Sequence, residues 1–153
     1  LHLAMQYKFE DAVKLLVFSG ADVNAVDREG VSPLMDAVSV EFKAGADTLL
    51  RDTSTLNLDA QNNDGNTALI LATYTKNRDM ILNLLHAGTD STIKNRDDQP
   101  ALGIAMQVSL QDAEIITKLR QWKPTSKYVE KGVIMCRRCG GSLDNASIYG
   151  KFR

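Results

Sequence analysis

Cysteine is nearly absent from this chain: Cys136 and Cys139 are the only two in 153 residues. Two cysteines so close together do not build an extracellular disulfide framework, and a reduced cytoplasmic or otherwise intracellular setting fits better. Proline is also scarce, at 3 residues, and glycine numbers 10, while 44% of residues are hydrophobic and 24% charged, a globular composition that excludes wholesale disorder. No apolar run approaches the roughly 18 residues of a membrane span, and no signal peptide pattern is present, so no membrane partner is expected. Net charge is small, at −1, which argues against a nucleic-acid binder because phosphate contacts need a cationic face. Motifs of catalysis are missing as well: there is no phosphate loop, no Gly-x-Ser-x-Gly elbow and no His-Glu-x-x-His, so no enzyme is expected.

What is present is unevenly distributed. Residues 1–122 carry 11 Lys/Arg and 17 Asp/Glu, a balance of −6, whereas residues 123–153 carry 7 Lys/Arg against 2 acids, a balance of +5. The sign change near residue 123 is the natural boundary between an acidic domain and a basic extension.

The acidic part repeats itself. Leu1, Leu34, Leu69 and Leu102 head similar blocks, spaced by 33, 35 and 33 residues. The first block runs Leu1-His2-Leu3-Ala4, then a helical stretch around Ala12, Leu15 and Leu16, then Gly20-Ala21-Asp22-Val23-Asn24-Ala25. The second opens Asp27-Arg28-Glu29-Gly30-Val31-Ser32-Pro33-Leu34 and the third Asn62-Asn63-Asp64-Gly65-Asn66-Thr67-Ala68-Leu69. The fourth opens Asn95-Arg96-Asp97-Asp98-Gln99-Pro100-Ala101-Leu102. Ser32 and Thr67 are placed to cap helices, and Pro33 suits a first helical turn that needs no donor. Ile81, Leu84 and Leu85 repeat the aliphatic spacing of Ala12, Leu15 and Leu16. Gly20 and Gly88 end the second helices, and Gly30 and Gly65 sit at turn tips, where positive φ is wanted.

These blocks resemble ankyrin repeats. The family pattern, Asp-x-x-Gly-x-Thr-Pro-Leu-His-x-Ala closing with Gly-Ala-Asp-Val-Asn-Ala, is nearly spelled out across residues 1–122. The resemblance implies an all-α solenoid of antiparallel helix pairs with hairpin-like turns, followed by a small irregular C-terminal extension. The expected divisions are 1–26 (partial), 27–61, 62–94 and a cap-like 95–122, then 123–153. The chain opens inside a repeat, so an upstream portion is expected. Departures from the pattern are visible: block two has a degraded second helix across residues 41–51, with Ser54 near the place of its closing Gly. Asp98 stands for a turn Gly, and Lys8 and Lys76 stand for the Gly usual between paired helices.

The resemblance also implies a function, binding a protein or extended peptide on the concave face, by a monomeric scaffold. Carried over by position, that face comprises Gln6 and Tyr7 from the first block and Arg28, Glu29, Val31, Ser39 and Val40 from the second. Asn63, Asp64, Asn66, Tyr74 and Thr75 come from the third, and Arg96, Asp97, Gln99, Gln107 and Val108 from the fourth. Tyr7 and Tyr74 are expected at equivalent positions, as are Arg28 and Arg96, and tyrosine is enriched at binding hot spots. The acidity of the array favours a basic or mixed peptide. His2 falls where the family places a structural histidine bonding neighbouring turns, His86 is read as a surface residue near a helix end, and Asn24 as a turn-bonding residue at a position open to hydroxylation.

Beyond Trp122, expected to pack as part of the cap, and Pro124, marking the exit, a strand near Gly132-Val133-Ile134-Met135 leads into Cys136-Arg137-Arg138-Cys139-Gly140. That Cys-x-x-Cys-Gly resembles a zinc knuckle, making Cys136 and Cys139 candidate ligands for zinc, the only cofactor in view. A structural zinc needs four ligands. Three readings stay open: half of a finger continuing past Arg153, a zinc shared between chains, or plain thiols. The first supports an alternative function, a zinc-containing regulatory adaptor or ubiquitin-ligase-type protein whose repeats recruit a client. A thioredoxin-type redox role lacks its βαβ context.

Overall fold

A computed structural model of the chain describes residues 1–51, 54–108, 112–121, 134–136 and 141–143. The chain divides into two compact units, Leu1–Trp122 and Lys123–Arg153.

In the first unit the described residues form eight helices in four antiparallel pairs: α1 (His2–Gln6) with α2 (Glu10–Phe18), α3 (Pro33–Ser39) with α4 (Lys43–Leu50), α5 (Ala68–Tyr74) with α6 (Arg78–Ala87), and α7 (Ala101–Gln107) with α8 (Ala113–Arg120). This is an all-helical ankyrin-type solenoid. Inner helices α1, α3, α5 and α7 stack on one another in chain order, and α2 packs on α4 and α6 on α8. Leu34, Leu69 and Leu102 occupy the second position of α3, α5 and α7, so the 33- and 35-residue spacings place equivalent leucines in successive layers.

Local chemistry explains where each helix begins. The Ser32 Oγ accepts the Met35 amide proton at 3.3 Å and the Thr67 Oγ1 accepts that of Ile70 at 3.3 Å, each satisfying a free donor of the first turn. Pro33 is the first residue of α3. Asn77 and Asp112 cap α6 and α8 in the same way. Pro100 precedes α7 and brings no side-chain cap. The stretch 41–51 reads as a degraded helix, yet it folds into α4 from Lys43 onward. Glu41 takes φ 54°, as Lys8 and Lys76 take 56° and 55°, so each of these inter-helix turns adopts the left-handed conformation without glycine.

The core is continuous across the pairs, with Met5 and Val13 in the first, Leu34, Met35 and Val38 in the second, Leu69, Ile70, Met80, Ile81 and Leu84 in the third, and Ile104 and Ile115 in the fourth. In α2 the expected stripe is displaced. Val13 is the buried residue, while Leu15 and Leu16 are exposed, because the side they occupy meets no neighbouring layer among the described residues.

In the second unit, β1 (Ile134–Cys136) pairs antiparallel with β2 (Gly141–Leu143), Cys136 lying opposite Gly141. The expectations for Trp122, Pro124 and Cys139 lie outside the described residues.

Candidate protein-binding face

Each repeat begins with a tight turn built by one side chain. The Asp27 carboxylate accepts the amides of Glu29 and Val31 at 2.9 and 2.8 Å. The Asn62 Oδ1 accepts those of Asp64 and Asn66 at 3.0 and 2.9 Å, and the Asn95 Oδ1 those of Asp97 and Gln99, both at 3.0 Å. A short acceptor two residues ahead of the amide it binds is the Asx-turn solution to a reversal of direction. The signal, an Asp or Asn three residues before the turn-tip Gly or its replacement, is written in the sequence, but these three residues stand apart from the expected binding positions.

Successive turns are sewn together. The Asn63 amide donates to the Glu29 carbonyl at 2.8 Å and the Arg96 amide to the Asp64 carbonyl at 2.9 Å. Asn63 Nδ2 also donates to the Arg28 carbonyl at 3.1 Å. The close approach explains Gly30 and Gly65, at φ 75° and 77°: a Cβ on Gly65 would meet the Arg96 backbone nitrogen at 2.9 Å. Asp98 holds the equivalent conformation, at φ 61°.

This seam sets which of the expected face residues are free. Arg28, Glu29, Asp64, Arg96 and Asp97 are exposed at the tips, and Ser39, Tyr74, Thr75 and Gln107 are exposed at the ends of inner helices. Val31, Val40, Asn66, Gln99 and Val108 are half-buried. Asn63 is exposed but its side chain is engaged between turns, and Gln6 donates to Asp36 at 3.2 Å, so both have a structural task. Tyr7 stacks on Phe9, ring centroids 5.9 Å apart, and the Tyr74 hydroxyl lies 3.5 Å from Asn95 Nδ2. The two tyrosines are not equivalent. Tyr7 follows α1 as its C-cap, the place Thr75 holds after α5, whereas Tyr74 is the last residue of α5 and matches Gln6. The one-residue difference turns them in different directions, because adjacent positions on a helix are about 100° apart. Arg28 and Arg96 do correspond, each following the Asx residue of its turn.

His2 has a structural task, and His86 lies on the surface as expected. His2 Nδ1 lies 2.6 Å from Asp36 Oδ2 and Nε2 lies 3.0 Å from the Ala25 carbonyl, joining the first pair to the following turn and to α3. His86 is in the last turn of α6 and its Nε2 faces Lys118 at 3.1 Å. Asn24 spans two layers, donating through Nδ2 to the Thr55 carbonyl at 2.7 Å while its Oδ1 accepts the Asn57 amide at 2.6 Å. Asp59 repeats that role one layer on, accepting the Asp90 amide at 2.8 Å.

At the outer edge Arg78 pairs with Asp112 at 2.6 Å and with Glu114, tying α6 to α8. The Asp112 carboxyl is held below its ordinary value of 3.8, first by the Ile115 amide it accepts and then by Arg78, and Arg78 is raised in turn by Asp112. Among the described residues no cluster of three or more His, Cys, Asp or Glu is arranged to hold a metal ion, and no helix is long and apolar enough to cross a membrane.

The family model for ankyrin repeats, in three copies, matches residues 1–95. Neurogenic locus notch homolog protein 1 of Danio rerio and neurogenic locus notch homolog protein 2 of Homo sapiens are each 36% identical over 116 residues, 76% of this chain. Neurogenic locus notch homolog protein 1 of Homo sapiens is 35% identical over the same length. The chain spans only 5% of the first two relatives' length and 4% of the third's. The chain belongs to the ankyrin repeat family, a non-enzymatic class of modules that mediate protein–protein interactions.

Proposed function

We propose that residues 1–122 form a protein-interaction scaffold that grips a protein or extended peptide on the side made by turn tips and inner helices, without catalysing a reaction. The observation that carries this reading is the row of turns locked by Asn63 to Glu29 and Arg96 to Asp64. Rigid, regularly spaced tips present Arg28, Glu29, Asp64, Arg96 and Asp97 beside Ser39, Tyr74, Thr75 and Gln107 with little ordering left to do on binding, and that preorganisation lowers the entropy cost of association. Arg and Tyr are the anchors such surfaces use most. The half-buried Val31, Val40, Asn66, Gln99 and Val108 back this row, and Gln6, Tyr7 and Asn63 flank it. We place the scaffold inside the cell and read it as a monomer; scarce cysteine supports the first.

Affinity capture with the intact chain, its Tyr74→Ala/Arg96→Ala variant and an outer-helix control, Lys14→Ala, tests the face. The control should retain the partner and the double variant should lose it, at unchanged helical circular dichroism. Equal capture by all three overturns the reading.

A second reading concerns the extension. Cys136 ends β1 opposite Gly141, so in the sequence Cys139 falls between the two paired strands, the order in which a zinc knuckle carries its two thiolates. In this reading Cys136 and Cys139 supply half of a zinc site and the chain acts as a zinc-containing adaptor. Elemental analysis of the protein extended past Arg153 and purified without chelator decides it: stoichiometric zinc lost in Cys136→Ser supports the site, and metal-free extended protein overturns it.

A further inference from the structure

The layers of the array are not spaced alike on their outer side. Inner helices α3 and α5 pack directly, but their partners α4 and α6 stand apart, leaving an open cleft of about 440 Å³ lined by Lys43, Asp47, Leu50, Arg51, Asn83 and His86. The cleft lies on the outer helices, away from the turn tips, and its chemistry does not depend on the face proposed above.

Charge decides what fits. Lys43 and Asp47 of α4 and its C-cap Arg51, which keeps helical backbone angles, recur at intervals of four, which aligns them along one side of the helix. Asp47 is already engaged: it accepts from Lys43 at 3.1 Å and, across the cleft, from Asn83 Nδ2 at 3.0 Å. Among the described residues Arg51 has no ion-pair partner, and it brings a planar fork of donors shaped for a carboxylate. His86 on the α6 wall is bonded to Lys118, which places a further ammonium behind the cleft. Among the described residues, Lys43 and Arg51 against Asp47 leave one net positive charge on the lining, in a domain that carries −6 overall.

We infer that the cleft between α4 and α6 receives the carboxylate of a partner's acidic side chain, paired with Arg51. The single surplus charge suits a monoanion; a phosphate dianion would bring its second charge against Asp47. The acidity of the rest of the domain makes the site selective, because an acidic segment is repelled elsewhere and attracted here.

The test uses the whole 15N-labelled chain, titrated with an acetylated Glu-Ala-Glu amide, its Gln-Ala-Gln counterpart and a phosphoserine-Ala-phosphoserine counterpart, with Arg51→Gln alongside. The glutamate peptide should shift resonances of α4 and α6, including the Asn83 side-chain amide, with an affinity that falls at least fivefold in Arg51→Gln. Binding should also weaken as salt rises. Equal binding of the glutamine peptide, tighter binding of the phosphorylated one, or shifts indifferent to Arg51→Gln would overturn the inference. Arg51 is exposed, so its variant is expected to fold, and unchanged spectra outside α4 and α6 check that.

Discussion

The first and third helix pairs carry the same pattern of residues but different burial. Leu16 in α2 is 36% exposed, whereas the residues that match it in the following layers, Leu49, Leu84 and Leu119, are 3%, 0% and 4% exposed. Phe9 is 61% exposed and its counterpart Phe42 only 7%. Phe42 is buried because it lies beside Gly45, near the sulfur of Met5 in the preceding layer. The lesson is that in this array burial belongs to the seam between neighbours and not to the pair, as expected where each repeat contacts only those beside it. A residue's cost of removal should therefore follow its place in the stack.

The sharpest test is Leu84→Ala against Leu16→Ala, read by denaturant unfolding. The first removes a fully enclosed side chain and should cost about 3–5 kcal/mol; the second removes a partly solvated one and should cost about 1 kcal/mol or less. Equal losses would mean that the pairs are stabilised internally.

The turns allow a second comparison at smaller scale. Gly20 and Gly65 both have positive φ, at 83° and 77°, but a Cβ on Gly20 meets nothing within 4 Å while one on Gly65 meets the next turn's backbone. Gly20→Ala should cost about 1 kcal/mol, the strain of a left-handed alanine. Gly65→Ala should cost more, about 2–3 kcal/mol, because the seam must also shift. Lys76→Gly acts in the opposite sense. Relief of φ 55° at an exposed lysine should raise stability by about 0.5 kcal/mol, with part of the gain lost to the greater freedom of glycine in the unfolded chain.

Much of this was legible in the residues themselves. The spacing of Leu1, Leu34, Leu69 and Leu102, the caps at Ser32 and Thr67 and the glycines at 30 and 65 are local chemistry, and local chemistry is what a sequence displays. Less legible were features made between layers. The stripe of Ala12, Leu15 and Leu16 looks like a buried face, and only the absence of a described layer against it exposes Leu15 and Leu16 in favour of Val13. Asn63 and Gln6 read as free polar groups until the neighbouring turn and Asp36 come within reach. The offset between Tyr7 and Tyr74, by contrast, was countable from the residues: Tyr7 lies six after Leu1 and Tyr74 five after Leu69, while the left-handed Lys8 and Lys76 stand at matching positions. The cleft between α4 and α6 depends on how far two outer helices stand apart, which no spacing states.

The outer side of the stack offers the smallest effect and the one with a pH signature. Arg78 bridges α6 to Asp112 and Glu114 on α8, whereas the facing sides of α4 and α6 are joined through Asn83 and Asp47 across the cleft. The Asp112 carboxyl is depressed in the folded chain, so its contribution is fully present above the ordinary value of 3.8 and disappears as pH falls through the lower folded value. The pair is exposed to solvent, and the effect should be modest and salt-sensitive. Urea midpoints of the chain and of its Asp112→Asn variant, in which asparagine still caps α8, isolate the charge, since every other carboxylate titrates in both. The difference should be constant from about pH 6 to about 4 and should close below that, because a protonated Asp112 and the variant's asparagine then present Arg78 with equally neutral partners. A difference that persists unchanged to about pH 2.5 would show that the loss on substitution comes from the cap of α8 and not from the Asp112 charge facing Arg78.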